Sequence, residues 1–398
     1  MNKFMILGAS VLQLPAILKA KEMGLQVIAV DMDKNAIGFR YSDVCIEIST
    51  LDIPEVVKAA KQHNIDGIMT LASDFPMRTV AAVAKELNIV GLDEETALKA
   101  TNKVIMRECL KQNNVPIPIF FKAITSQEYY TAVKEFENRF IVKPADNSGS
   151  RGVFLINDKQ DKESIKYAFE YSKKYSRSGQ IIVEEYMEGD EVSVETLAVN
   201  GKIYIIAITD KITTGAPRFV EMGHTQPCVM SNNIKTKIAE VAIEANKAIG
   251  IINGPSHTEI KLTEEGPKIV ELGARLGGDN ITTHLVPLST GVDMVECCIR
   301  IALGQKPDLN SKYEKGAAIR YFQTRTGKIN NIKGLEEARK INGVKQINFV
   351  KEIGDNISVI NSSSDRVGFV IAQSDSVIEA VNICMKAINT ISIDIIDE

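Results

Sequence analysis

Apolar positions along the chain come in short runs separated by polar and glycine-bearing breaks, and the period of the pattern changes from one run to the next. Lys3–Leu7 is apolar and stops at Gly8, a helical pattern covers about 13–23, and Gln26–Val30 is apolar again and ends at Asp31. This strand–helix–strand order predicts a Rossmann-like parallel sheet whose ligand edge lies at the carboxyl ends of its strands. The pattern continues as a helix near Pro54–His63, a buried strand Gly67–Leu71, a helix near Met77–Leu87 and a short strand Ile89–Val90. From Glu94 to Asn113 it reads as one helix carrying Lys103 and Arg107 at i, i+4, a spacing common in solvent-facing basic pairs. Asn114-Val-Pro-Ile-Pro118 breaks that helix and opens a new unit. Strands follow at Phe140–Lys143, Gln180–Val183 and Val192–Val199, the last turning at Asn200-Gly201 into Lys202–Thr209.

The most informative stretch is Ser256–Asp279. Two alternating runs flank Thr263-Glu-Glu-Gly-Pro267, so it predicts a hairpin symmetric about Glu265, with Glu259 opposite Glu271. Period two puts Ile260, Leu262, Val270 and Leu272 on one face and His257, Glu259 and Glu271 on the other. Facing carboxylates destabilise a strand pair unless both look into water or a divalent cation lies between them. Arg275, four residues past Glu271, offers a planar fork suited to a phosphate or acyl-phosphate oxygen. The tail reads as strands near 317–324, 346–353 and 366–373 with helices near Leu335–Ile341 and Ser376–Thr390.

Composition narrows the class. At 398 residues the chain exceeds one core, and the pattern divides it into 1–95, 96–305 and 306–398. With 44% hydrophobic residues, 25% charged and a net charge of −4, it reads as globular, with no electrostatic case for a nucleic-acid partner. The apolar runs are too short for a membrane span and no leader pattern is present, so cytoplasmic residence is expected. Six scattered cysteines without Cys-x-x-Cys spacing argue against zinc or a disulfide framework and suggest buried free thiols.

Phosphate chemistry is suggested at a second place. Lys143 ends an apolar strand at Pro144, and the loop Ser148-Gly149-Ser150-Arg151-Gly152 follows; small residues with open backbone N–H groups can close over polyphosphate. This is not a P-loop, because no Gly-Lys-Ser/Thr opens a helix. A dinucleotide fingerprint at the N-terminus needs glycines at Gly8, Ser10 and Gln13 and has only the first, so Asp31 ends its strand as many acids do. Glu184 ends a buried strand, where a carboxylate needs a donor such as an adenine amino group. Asp74 lies just past a strand end, as a helix cap or a substrate contact.

With these pieces in order, the chain resembles the ATP-grasp superfamily of carboxylate–amine ligases. The marks are Lys103, then Val-Lys143-Pro with Gly-Ser-Arg-Gly, then Glu184-Glu-Tyr-Met…Glu191, then Glu259…Glu271-x-x-x-Arg275. The segments Phe219-Val-Glu-Met-Gly-His224, Gly254-Pro-Ser-His257-Thr-Glu259 and Ala274-Arg275-Leu-Gly277-Gly278 are most similar to the L-amino acid ligase type, as is the tail Ala318-Ile-Arg320-Tyr-Phe…Asp365-Arg-Val-Gly-Phe. The resemblance implies an α/β and α+β architecture: a Rossmann-like domain, an ATP-grasp fold and a small C-terminal α/β domain. It implies ATP as cosubstrate with Mg²⁺, or Mn²⁺ as the alternative ion. Lys103, Lys143 and the loop Ser148–Gly152 would contact phosphates. Glu184 and the backbone of Glu185, Tyr186 and Met187 would contact adenine, and Glu191 the ribose. Glu259 and Glu271 would hold metal, while Lys143 and Arg275 would act on the transferring phosphoryl group. Asp74, His224, His257, Gly277, Gly278 and Arg320 would border the small-molecule carboxylate and amine substrates. The tail would set specificity or form a homodimer contact. One departure stands out: the asparagine common two residues after the second metal glutamate is Gly273 here, which leaves open whether one ion or two are held. A purine-pathway or carbamoyl-phosphate-type ATP-grasp enzyme, and a non-catalytic nucleotide-binding protein on the same scaffold, are the alternative readings.

Overall fold

The computed structural model describes residues 1–147 and 149–396. Its first unit is β1 (Lys3–Leu7), α1 (Leu14–Glu22), β2 (Gln26–Asp31), β3 (Val44–Glu47), α2 (Ile53–His63), β4 (Gly67–Met69) and α3 (Met77–Leu87). The four strands form one parallel sheet in the order β3-β2-β1-β4. Local chemistry sets the helix limits. Asp52 caps α2 by accepting from the Glu55 N–H, Pro54 sits in its first turn, and Asn64 closes it in the left-handed region. Ile89–Val90 forms no strand: left-handed Asn88 turns the chain, and the Ile89 N–H bonds back to the Ala84 carbonyl at 3.0 Å.

The helix expected over 94–113 is two helices, α4 (Glu94–Thr101) and α5 (Lys103–Gln112). Asn102 between them is extended, and its side chain accepts from the Val104 and Ile105 N–H groups, so it is the N-cap of α5. Lys103 therefore opens a helix rather than sitting within one.

A four-stranded antiparallel sheet follows, built from β5 (Phe120–Ala123), α6 (Ser126–Lys134), β6 (Phe140–Pro144), β7 (Phe154–Ile156), α7 (Lys162–Tyr175) and β8 (Ile181–Glu185), in the order β5-β8-β6-β7. It has its own core around Tyr129, Phe136, Phe140 and Ile165.

The third layer is an eight-stranded antiparallel sheet. Its strands are β9 (Asp190–Val199), β10 (Lys202–Thr213), β11 (Glu221–Gln226), β12 (Gly254–Thr263), β13 (Gly266–Gly273) and three from the tail. The long helix α8 (Asn232–Ile249) lies between β11 and β12 in the chain, and α9 (Val286–Thr290) and α10 (Met294–Ala302) follow β13. The tail runs β14 (Gly316–Tyr321), β15 (Gly327–Lys333), α11 (Leu335–Arg339), β16 (Val344–Phe349), β17 (Asn356–Ile357), β18 (Gly368–Ser374), α12 (Val377–Thr390) and β19 (Ser392–Ile396). The large sheet has the order β13-β12-β9-β10-β11-β14-β18-β16, so the tail continues it, while β17-β15-β19 form a small separate sheet. One face of the large sheet is apolar: Val192, Val194, Ile260, Ile269 and Leu272 pack in one core with Ile238, Ala242, Ala245 and Ile249 of α8. The opposite face carries the charges. Five cysteines are buried, but Cys45 is exposed, against the expectation of burial for all six. Among the described residues no helix is long and apolar enough to cross a membrane.

Candidate active site

The hairpin does bring Glu259 opposite Glu271, by a route the alternation alone does not show. From the turn, Thr263 pairs with Gly266, Lys261 with Lys268 and Ile260 with Ile269; the register then shifts, and Glu259 pairs with Glu271. The extra residue is Val270, a β-bulge on β13. Val270 is therefore not on the Ile260 face as expected. It lines the same cleft as Glu271, and Ile269 takes the core position.

Period two then collects one charged face. β9 lies beside β12 with Glu191 opposite Lys261, Ser193 opposite Glu259 and Glu195 opposite His257. On the far side of β9, β10 brings Lys211 up, and β11 sets His224 opposite it. Lys211 is nearly buried, with 4% of its side chain exposed, and its ammonium stands 2.7 Å from both Glu191 and Glu259 and 3.7 Å from Glu221. Burial works against that ammonium, but the three carboxylates lift its pKa well above the usual lysine value. Burial alone would raise Glu259; Lys211 and His257 hold it well below the ordinary carboxylate range instead.

The cleft above this face is walled by the four-stranded sheet. Lys103, Lys143, Gly149, Ser150, Arg151, Glu184, Glu185, Tyr186, Met187, Glu191, Glu259 and Glu271 all line it, together with Lys211, Phe219 and Glu221. Ser148 lies outside the described residues. Gly149, Ser150 and Gly152 take left-handed backbone, which tilts the lid loop into a concave turn. Gly152 sits behind the cleft, where a Cβ would strike Tyr175 and Pro144.

Glu184, expected beside adenine, is already held by two cations. It is 3% exposed, and each oxygen is taken by a cation, Arg107 at 2.6 Å and Lys143 at 2.5 Å. Burial would raise its pKa, but the two cations more than offset that and bring it to about 2. Arg107, read from its spacing as a surface residue, is 1% exposed and also donates to the Val270 carbonyl at 2.6 Å. It ties α5 to Glu184 and to the bulge, and so fixes where Lys143 points. Lys103 pairs with Glu271 at 2.6 Å and donates to the Asn147 carbonyl at 2.6 Å.

Arg275 grips Asp74 with both arms of its fork, at 2.9 and 3.2 Å. Asp74 thus comes from the N-terminal sheet to the edge of the cleft, where it shares a cavity with Lys103 and Glu271. His257 Nδ1 donates to Glu195 at 2.5 Å, and its Nε2 reaches Glu259 at 3.6 Å; burial lowers its pKa, yet the Glu195 charge takes it up to about 9. Gly277 packs on that pair, since a Cβ would fall 2.7 Å from His257 Nδ1. Gly278 lies near Ala72.

His224 is 3.3 Å from Asp279, which Arg366 of the tail holds by two bonds of 2.7 and 2.8 Å. Arg320 donates from Nη1 to the carbonyls of His224 and Ile319 and lies over Gly223. Ser193 Oγ, Glu195 Oε2 and His224 Nδ1 are buried without a hydrogen-bond partner among the described residues. Orphaned polar atoms on this face leave donors and acceptors for a bound molecule.

The fold agrees with comparison to known proteins. Residues 136–283 match an ATP-grasp domain, and residues 320–395 match the L-amino acid ligase C-terminal domain 2. Alanine–anticapsin ligase of Bacillus subtilis (strain 168) is 27% identical over 278 residues, which cover 65% of this chain and 58% of that protein. Phosphoribosylamine–glycine ligase of Methanocaldococcus jannaschii is 25% identical over 379 residues, 84% of each chain. The crystal structure of L-amino acid ligase from Bacillus licheniformis superposes with a TM-score of 0.83 at 23% identity, covering 100% of this chain and 99% of that one. Residues 136–283 of the chain thus carry an ATP-grasp domain. The relatives are named as ligases, and residues 320–395 match a domain of the L-amino acid ligases.

Proposed function

We propose that this chain activates the carboxylate of an amino acid or small acid as an acyl phosphate and joins it to an amine, releasing ADP and phosphate. The observation that carries the reading is the convergence of Lys103, Lys143, Glu259 and Glu271 on one cleft, with Arg275, gripped by Asp74, near enough to feel the charge of both glutamates. The carboxylate oxygen bonds to the γ-phosphorus as ADP leaves; the amine nitrogen then bonds to the acyl carbon as phosphate leaves and takes up the amine's proton. Such chemistry asks little covalent help of side chains and much charge neutralisation and water exclusion.

Lys143, held between Glu184 and the strand end, and Lys103, at the start of α5, would meet nucleotide phosphates. The backbone from Glu185 to Met187 would receive adenine and Glu191 the ribose. Glu184 is then a positioning residue for Lys143 rather than an adenine contact. Arg275 would steady the transferring phosphoryl group, and the loop Gly149–Gly152 would shut water out. Glu195, His257, His224 and Glu221, with unused polar atoms beside them, would border the acid and amine. The residues also fit Mg²⁺, or Mn²⁺ in its place. Glu259 and Glu271 present two opposed oxygen donors, and no group of three or more His, Cys, Asp or Glu suited to a metal occurs among the described residues. A two-carboxylate set suits an ion that completes its shell with phosphate oxygens and water. When bound, such an ion would neutralise charge on the phosphates. The same reading takes 1–95, 96–305 and 306–398 as three functional parts.

Phosphate release with Mg–ATP, measured across pairs of amino acids, small acids and amines, tests the proposal. Turnover that needs both an acid and an amine supports it; tight ATP binding with no ADP from any pair would leave a regulatory nucleotide-binding protein. The match to phosphoribosylamine–glycine ligase keeps a phosphoribosyl amine in the panel as a second reading. The tail's match to an L-amino acid ligase domain favours the first.

A further inference from the structure

The cleft contains a regularity beyond the assignments above. Three carboxylates of the site, the two proposed for metal among them, are each paired with a cation. Glu271 pairs with Lys103 at 2.6 Å, Glu259 with Lys211 at 2.7 Å, and Asp74 with Arg275 at 2.9 Å. The partners come from elements far apart in the chain, and the contacts run from side chain to side chain. Asp74 also stands where the missing asparagine would be: a Cβ on Gly273 would fall 2.7 Å from its Oδ1.

A divalent ion arriving alone meets acids already neutralised by lysine. To bind, it must draw Lys211 from Glu259 and Lys103 from Glu271, which leaves Lys103 without its anion in a largely buried site and Lys211 with only Glu191 and the more distant Glu221. A buried ammonium that gives up a carboxylate is disfavoured unless another anion takes its place. A triphosphate removes the obstacle, because its oxygens accept the released lysines while the ion takes the carboxylates. We propose that Lys103 and Lys211 stand in for the divalent ion: they hold Glu271 and Glu259 in the nucleotide-free protein and pass to phosphate oxygens when nucleotide arrives, so that ion and nucleotide bind only together. This rests on the nucleotide reading of the cleft and adds Lys211 to its phosphate-binding groups. Arg275 and Asp74 exchange partners in the same way.

The test uses Mn²⁺ as probe, followed by electron paramagnetic resonance on the full chain, with binding of a non-hydrolysable ATP analogue measured separately by calorimetry. In the wild-type protein the analogue should tighten Mn²⁺ binding by roughly tenfold to a hundredfold. Lys211→Met should raise nucleotide-free Mn²⁺ affinity by on the order of tenfold, since the ion no longer competes with an ammonium. Lys103→Met, nearer the cleft mouth, gives the same readout at Glu271 should Lys211→Met fail to fold. Lys211→Met/Glu259→Gln should lose the gain, which ties it to Glu259. Equal Mn²⁺ affinity with and without analogue, or no gain in a folded lysine variant, overturns the exchange. If the analogue itself does not bind the wild-type chain, the nucleotide reading falls instead.

Discussion

Two loops follow strands in this molecule and invite comparison as phosphate sites: Gly8–Gln13 after β1 and Gly149–Gly152 after β6. In the first, every group a nucleotide would need is already committed to the protein. Gly8 is left-handed, but the Gln13 side chain lies against it, 2.7 Å from where a Cβ would be, and donates to the Leu71 carbonyl at 2.7 Å. Asp31, at the ribose-binding position, accepts from the Ala9 and Asp33 N–H groups at 2.8 and 2.9 Å. In the second, the groups facing the loop are satisfied by opposite charges from other elements. Backbone partners cannot leave without breaking the fold; ionic side-chain partners can. That difference separates a loop that builds structure from one that does chemistry.

The comparison can be broken most forcefully at the cleft. Glu271→Gln and Arg275→Ala should each lower turnover by about a thousandfold or more, with ATP affinity by calorimetry reduced less than tenfold. Near-normal turnover in either variant would remove the cleft from the reaction. Next in size is Arg107→Met. It leaves Glu184 buried with one cation in place of two, and should cost about 3–5 kcal/mol in urea unfolding while weakening ATP binding through Lys143.

A pH series sharpens the same point. Arg107 and Lys143 hold Glu184 at about 2 in the folded chain, below its unfolded value. Its stabilising contribution is therefore complete above the unfolded carboxylate pKa of roughly 4.3 and is lost as pH falls from there toward 2. Urea midpoints from pH 7 to 3 should fall more steeply for the wild type than for Glu184→Gln, and equal slopes would deny the pair its role. The smallest effect belongs to the other loop: Asp31→Asn should cost about 1 kcal/mol of stability and leave ATP turnover unchanged.

Much of this was readable before any coordinates, and the reasons are specific. The hairpin is legible from its alternation and Glu-Gly turn, but Glu259 faces Glu271 only because the bulge offsets a turn one register away from the symmetric one. Val270 was placed on the wrong face because a bulge changes the count without changing composition. Asn102 carried a usable sign, an N-cap residue before Lys-Val-Ile-Met, within a stretch that otherwise reads as one helix. Arg107, Lys211, Glu195, Asp279 and Arg366 gave no local sign of their roles. Their partners lie 77, 48, 62, 55 and 87 residues away, respectively, and only the sheet order brings them together. β11 was likewise invisible, since Glu-Met-Gly-His-Thr-Gln scarcely alternates and is held by a strand on each side.

The bulge at Val270 makes the arm between the turn and the second acid a matter of arithmetic. Deleting one residue from Lys268 to Val270 would keep the hairpin's hydrogen bonds and nearly all of its composition, yet it would turn Glu271 inward against α8 and bring Leu272 out to meet the phosphates. Swapping Val270 for another apolar residue should be forgiven far more readily than losing it.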